Sequence, residues 1–169
     1  MSAIPHETFR LWFDYEKDAH AKTVASLTAV PAEKRETPEF RRAVELLAHV
    51  IGARWLWLER VGGTTERPLK MFTKDLPAAD LPARLGEMEG TWGRYLERLT
   101  GDELARSVEW GPADGPRFTN SVEEILTQLF GHSTYHRGQI ALLLRQIGCQ
   151  PPATEFIYFA RRPAGRPPG

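Results

Sequence analysis

The chain has 169 residues, 41% of them hydrophobic, which is enough for one ordinary domain with a substantial core. Its 22 basic and 22 acidic residues cancel, so no excess positive charge favours nucleic acid or an anionic membrane surface as a partner. No apolar run approaches the length of a bilayer span, the N-terminus lacks a signal-peptide pattern, and the single Cys149 excludes an internal disulfide and suits a reducing compartment. We therefore expect a cytoplasmic protein that binds neither nucleic acid nor membrane.

Hydrophobic periodicity predicts three helices in the first two thirds of the chain. The first is expected over residues 5–27, and the second over residues 38–61, with Thr37 as its cap and Gly62 at its end. Residues 64–77 contain proline and form a connection that is too long for a tight turn within a bundle. The third helix is expected from Asp80, as its cap, to about residue 100.

The last third of the chain predicts a small turn structure and one long helix. Residues 107–119 alternate between apolar and polar side chains around a Gly/Pro-rich centre, a pattern typical of a small hairpin or an irregular loop. Residues 120–123 resemble a capping box, and Gly148 ends the helix that follows. Aromatic residues 155–160 are expected to pack on the helices, and the Pro/Arg-rich residues 161–169 to form a flexible tail. Together these elements predict an all-α fold, a four-helix bundle with a long crossover connection, as a single domain over residues 1–160.

Two histidines mark the last predicted helix. At a separation of four residues, His132 and His136 lie one above the other on the same helix face, an arrangement that can bind one divalent cation. That face is also the apolar stripe through Ile125, Leu129 and Leu143, so the imidazoles are predicted to be buried and to need partners for their ring nitrogens. A metal ion would satisfy both rings, but two core histidines bonded to backbone or water fit the same pattern.

His49 is the candidate third ligand. It shares a face of the second helix with Leu46, Ala53 and Leu56, and bundles build metal sites from such inward-facing side chains. Three histidines from two helices would leave coordination positions for water or substrate, as in catalytic sites. Taken alone, however, His49 fits a lone core histidine better.

Several segments together resemble one known family. They are Ala48-His49, Trp-Leu-Trp-Leu-Glu-Arg-Val-Gly at 55–62, His-x3-His-Arg-Gly-Gln-Ile at 132–140, Leu-Arg-x2-Gly at 144–148, and the segments 11–15 and 155–158. This set is similar to the signature of the DinB/YfiT-like superfamily over nearly the whole chain. The resemblance implies a four-helix bundle, often a homodimer, with a divalent metal held by His49, His132 and His136.

The resemblance also implies a chemistry. Several characterised relatives are transferases or isomerases that use low-molecular-weight thiols, so the leading hypothesis is a metal-dependent thiol S-transferase acting on a small electrophile. Three imidazoles suit zinc or nickel, and also iron or cobalt, better than magnesium or calcium. The competing hypothesis is a non-enzymatic, stress-associated dimeric module in which the metal staples the helices or senses metal supply.

Four further polar residues have an open role near the predicted ligands. Glu45 precedes His49 by one turn, Gln139 projects toward the histidine stripe, and Glu16 and His20 lie on the apolar face of the first helix. A carboxylate could orient a ligand or act as a base, but a position at a helix edge with its head in solvent is favoured. For His20 the favoured interpretation is a core histidine.

Two other residues are not assigned to the site. Arg137 is predicted to point away from the histidine stripe, into an ion pair at the helix surface. Cys149 could be a reactive thiol, but its sequence neighbours offer nothing that would lower its pKa. No catalytic residue is therefore named from the sequence.

Overall fold

The computed structural model describes residues 4–162, a mostly helical chain with one small antiparallel sheet. In chain order the elements are α1 (His6–Thr28), α2 (Pro38–Arg60), α3 (Leu81–Glu97), α4 (Gly101–Ala105), β1 (Ser107–Trp110), β2 (Phe118–Ser121), α5 (Val122–Gln146) and α6 (Phe156–Ala160). Short 3-10 turns at Ala32–Lys34 and Ala78–Asp80 precede α2 and α3. The prediction of a mostly helical fold with a small hairpin before the last long helix is confirmed.

The start of α2 follows the prediction, whereas α3 ends earlier than predicted. Thr37 caps α2 by accepting a hydrogen bond from the Phe40 amide at 3.3 Å. The third helix ends at Glu97, and the short α4, capped by Thr100, follows it. The Arg10 guanidinium donates to three carbonyl groups at the end of α3, at 2.8 to 3.1 Å. These bonds add partners to carbonyl groups at the end of the helix, where the next helical turn is missing, so they favour termination there.

The hairpin sets the start of α5. Ser121 and Glu124 form a capping box, in which each side chain accepts a hydrogen bond from the other residue's amide, at 3.2 and 2.8 Å. This box lies one residue later than predicted, because Asn120 remains in β2, opposite Val108 of β1. The hairpin thus fixes where α5 begins, and with it the positions of the histidines along that helix.

The long helices share one core. α1 and α2 each pack against both α3 and α5, and the most extensive contact is between α2 and α5. The most buried large side chains come from several helices and include Leu47, Ile51, Met88, Trp92, Leu129 and Ile140. Burying one such side chain stabilises the fold by about 1.5–3 kcal/mol. The contact between α2 and α5 matters most for function, because these two helices carry the three predicted ligands.

The C-terminal segment returns to the first helix. Tyr15 donates a 2.5 Å hydrogen bond to the carbonyl of Thr154, and the rings of Phe156 and Phe159 contact the Tyr15 ring at 5.2 and 5.8 Å. The predicted packing of residues 155–160 is confirmed, while residues 163–169 of the predicted tail lie outside the described residues. Among residues 4–162, every helix is too short or too polar to cross a membrane.

Candidate metal centre

Three imidazoles from two helices meet where α2 packs on α5. His49 Nε2 lies 3.0 Å from His132 Nε2, which lies 3.2 Å from His136 Nε2. One ring nitrogen of each residue lies within 4.8 Å of the others, and all three rings are partly buried. The fold therefore brings together the three histidines that the sequence singled out as candidate ligands.

The connection of residues 64–77 closes over His49. The Met71 carbonyl accepts a hydrogen bond from His49 Nδ1 at 2.8 Å, and the Phe72 ring stacks on the imidazole at 5.1 Å with an interplanar angle of 16°. The loop can approach this closely because α2 has a glycine there: a Cβ on Gly52 would lie 2.3 Å from the Lys70 carbonyl oxygen. Since a carbonyl only accepts, Nδ1 of His49 carries the proton and Nε2 presents a lone pair to the other rings.

His136 is held in the same way by its own helix. Gln139 Oε1 accepts a hydrogen bond from His136 Nδ1 at 2.7 Å, and Gln139 Nε2 donates to the Tyr135 hydroxyl at 3.2 Å. Nε2 of His136 therefore also presents a lone pair. The prediction that Gln139 projects toward the histidines is confirmed, and its contact is with the outer nitrogen of a candidate ligand, where it fixes the ring orientation.

His132 lies between the other two rings. Its Nε2 faces the lone pairs of both neighbours, and its Nδ1 is buried without a hydrogen-bond partner among the described residues. Burial, with His136 and His49 adding to it, lowers the pKa of His132 to about 4, and burial also lowers the pKa of His136. A neutral imidazole donates one hydrogen bond, so His132 Nε2 can donate to His49 Nε2 or to His136 Nε2 but not fully to both. At least one of these contacts therefore brings two nitrogen lone pairs face to face.

This donor set fits a divalent transition metal. Neutral imidazole nitrogens are good ligands for zinc, nickel, iron and cobalt. Two Zn–N bonds of about 2.0–2.1 Å at a tetrahedral angle place their nitrogens about 3.3 Å apart, close to the 3.0 and 3.2 Å between the rings. A cation at this point would replace the unfavourable approach of lone pairs with three bonds. The cluster could therefore hold a metal ion.

A cavity of about 230 Å³ opens beside His49 and His136. Its other walls come from the first half of α2 and from the loop, and consist of Arg42, Glu45, Leu46, Phe72, Thr73 and Lys74. Three protein ligands with adjoining space are typical of catalytic metal sites rather than closed structural ones. Of the four polar residues whose role the sequence left open, Glu45 is the one that lines this cavity.

Glu16 and Arg137 lie in a buried charge cluster, and the predictions for both were wrong. Each is 2% exposed. Glu16 pairs with Arg54 of α2 and lies 3.9 Å from Arg137 Nη1, and Arg137 donates to the Tyr15 hydroxyl at 3.1 Å. The favoured solvent-exposed position of Glu16 and the predicted surface ion pair of Arg137 do not occur. The reason is that α5 packs against α1 as well as α2, so the face of α5 that carries Arg137 is not in water.

His20 is buried beside this cluster and pairs with Glu89, and its interpretation as a core histidine is confirmed. It is 1% exposed, and its Nδ1 lies 3.1 Å from Glu89 Oε1 on α3. Burial lowers the pKa of His20 to about 3 and raises that of Glu89 to about 7. Below about pH 7 both groups are therefore mostly uncharged, and their buried contact joins α1 to α3.

The loop contacts are the part of the site that sequence reasoning missed. Met71 acts through its carbonyl group, which any residue supplies, so no side-chain pattern marks it. Gly52 was a usable signal, because a glycine inside a helix destabilises it by about 1 kcal/mol relative to alanine. Close approach of another stretch of backbone is one of the ordinary reasons for such a residue.

The comparisons with known proteins support the resemblance seen in the motifs. The sequence model of the DinB family matches residues 5–165, which include all three histidines. The protein DinB of Bacillus subtilis (strain 168) is 25% identical over 154 residues, which cover 85% of this chain and 88% of that protein. The chain belongs to the DinB family.

Proposed function

We propose that this chain is a metal-dependent thiol S-transferase, or a related enzyme, that acts on a small electrophile. The observation that carries the proposal is the convergence of three Nε2 atoms, from His49, His132 and His136, beside a cavity. A zinc or nickel ion held there, or iron or cobalt, would make a thiol lose its proton near neutral pH and so become a nucleophile. The four long helices would form the four-helix bundle expected of the family, with residues 64–77 as the crossover connection.

The chain's own residues orient the donors and shape the space beside them. The Met71 carbonyl and Gln139 Oε1 each hold the outer nitrogen of an imidazole, so that Nε2 points inward. Phe72 covers one face of the His49 ring and keeps water from it. We propose that Glu45, which lines the cavity one turn before His49, accepts the proton of an incoming thiol.

Association of two copies through the outer face of α5 would complete the assembly expected of the family. Gly131, Tyr135, Gly138 and Leu142 lie on one strip of that helix, and Tyr135 and Leu142 are 65% and 55% exposed. Within the described residues, a Cβ added at either glycine meets open space, so a second helix can approach closely. Sedimentation velocity checks this, and a monomer alone at working concentration would rule it out.

Elemental analysis of the purified, untagged protein is the first test of the metal site. We expect about one transition metal per chain in the wild type and none in His49→Ala or His136→Ala, because each variant leaves two ligands. Circular dichroism shows whether the variants keep their helices. A wild-type protein that stays metal-free after loading with zinc and with nickel would reduce the three histidines to core residues and remove the enzyme proposal.

A thiol screen then tests the activity. Bacillithiol, mycothiol and glutathione are each mixed with a model electrophile, and the rates of the loaded protein and of His136→Ala are compared. We expect a rate that requires the metal with at least one of the thiols. A protein that retains its metal but shows no metal-dependent rate with any of them would favour the non-enzymatic metal-binding module instead.

A further inference from the structure

The cavity beside the histidines has a chemical character of its own. His49 and His136 line it, and its apolar lining comes from Leu46 and Phe72. A volume of about 230 Å³ corresponds to roughly eight water molecules at their liquid volume. A ligand of that size could contact both the histidines and the charged residues that line the same cavity.

The lining of this cavity also carries two cations and one carboxylate. Arg42 on α2 and Lys74 on the loop line the cavity together with Glu45. Arg42 Nη1 contacts Glu45 Oε2 at 3.0 Å, but a guanidinium has five N–H donors, so most of them remain for another acceptor. Within residues 4–162, no carboxylate lies within ion-pair distance of Lys74. The wall therefore has a surplus positive charge before any metal binds.

We propose that this cavity binds a small thiol whose far end carries a carboxylate, with Arg42 and Lys74 as the cationic contacts. This inference rests on the proposed function, because it assigns the thiol end of the ligand to the histidine cluster. Arg42 comes from α2 and Lys74 from the loop that also holds His49 through Met71. An anionic ligand would thus bridge the two elements that orient His49, whereas a neutral thiol would leave Lys74 without a carboxylate partner and Arg42 with Glu45 alone.

The magnitude expected for each cationic contact is modest but measurable. A hydrogen bond between a charged donor and a carboxylate that is partly shielded from water changes a dissociation constant by about ten-fold. Lys74 is the better residue to change, since removing Arg42 would also release Glu45 from its ion pair. Lys70 lies on the same loop, is exposed and does not line the cavity, so it provides the matched control.

The test uses the full chain loaded with cobalt(II), whose absorption changes when a thiolate binds. Dissociation constants are measured for mercaptopropionate and for its neutral amide, mercaptopropionamide, with wild type, Lys74→Gln, Lys74→Arg and Lys70→Gln. We expect Lys74→Gln to weaken mercaptopropionate about ten-fold and the amide by less than two-fold. Lys74→Arg should restore most of the loss, and Lys70→Gln should match wild type. Comparing variants for each thiol separately removes the difference in acidity between the two thiol groups.

The outcomes separate this inference from the function on which it rests. If both thiols bind but Lys74→Gln weakens mercaptopropionate and its amide by the same factor, or weakens neither, the anionic ligand class is overturned and the thiol-binding function stands. If the cobalt spectrum responds to neither thiol, the proposed function is overturned and the inference with it. A loss with Lys70→Gln as large as with Lys74→Gln would show a general charge effect and overturn the assignment of Lys74.

Discussion

Replacing Gly52 with alanine should weaken metal binding without changing any of the three histidines. A Cβ at this position would lie 2.3 Å from the Lys70 carbonyl oxygen and 2.8 Å from Met71 Cα, whereas ordinary contact begins at 3.4 Å. The loop therefore has to retreat by roughly 1 Å, because the facing atoms are backbone and cannot rotate away. That retreat lengthens the 2.8 Å hydrogen bond from His49 Nδ1 to the Met71 carbonyl beyond useful range.

The loss expected from Gly52→Ala follows from the role of that hydrogen bond. Removing the partner that orients a ligating histidine lowers metal affinity by about 10–100-fold, which is about 1.4–2.7 kcal/mol. The helix itself gains about 1 kcal/mol from alanine, so global stability should change much less than metal affinity. A competition titration of zinc against a chromophoric chelator measures the affinity, and urea unfolding of the metal-free protein measures the stability.

Gly86→Ala is the matched control for this experiment. Gly86 lies inside α3, where among the described residues an added Cβ meets no atom within 4 Å. The variant should keep wild-type metal affinity and become more stable by about 0.5–1 kcal/mol. Wild-type zinc affinity in Gly52→Ala, with the control behaving as expected, would refute the idea that the loop carbonyl orients His49.

Three further predictions concern the buried groups and the metal. Glu16→Gln should lower the free energy of unfolding by about 3–5 kcal/mol, because it leaves two buried guanidinium groups without their carboxylate. The control Glu36→Gln breaks an exposed pair and should change the free energy of unfolding by less than about 1 kcal/mol. Equal effects of the two variants in urea melts would contradict the buried cluster. As the pH falls, the folded protein binds one proton on Glu89 near pH 7, whereas the unfolded chain binds one proton on His20 near pH 6.5. Between pH 6.5 and 4.5 both states therefore hold one proton on this pair, so the pair makes stability nearly independent of pH there. In Glu89→Gln only the unfolded chain binds the proton, on His20, because the folded protein keeps this histidine neutral. The metal-free variant should therefore lose stability relative to the metal-free wild type by about 1 kcal/mol for each pH unit below 6.5. Parallel profiles of unfolding free energy against pH for the two proteins would count against the pair. Zinc at a free concentration 100 times its dissociation constant should stabilise the wild type by about 2.7 kcal/mol and His136→Ala hardly at all, and thermal melts showing equal shifts would place the metal elsewhere.

The candidate ligands could be found in the sequence because their signal is local. The spacing of His132 and His136 places both rings on one face of any regular helix, so the pair needs no knowledge of the fold. His49 required more, namely that its helix packs against the last one, and the resemblance to a family supplied what periodicity could not. The capping signals of α2 and α5 are local too, and the predicted starts were within a residue of those in the structure.

The rest of the site depends on contacts between distant parts of the chain. Counting 100° per residue correctly places Arg137 away from the histidine stripe, but it does not say what covers that side of α5. The structure shows α1 there, with Tyr15 and Glu16 facing the guanidinium. The Met71 carbonyl is similarly beyond sequence reasoning, because the path of a loop without regular secondary structure is decided by packing.

The buried ion cluster has a consequence for how the two ligand-bearing helices align. Glu16 contacts Arg54 of α2 and Arg137 of α5, and each arginine is five residues or fewer from a candidate ligand on its own helix. Apolar faces alone can pack in more than one register, whereas a buried charge without its partner is strongly destabilising. We therefore expect the cluster to set the register between α2 and α5 while the chain folds. His49 would then already lie opposite His132 before any metal arrives, which leaves little ordering to be done when the metal binds.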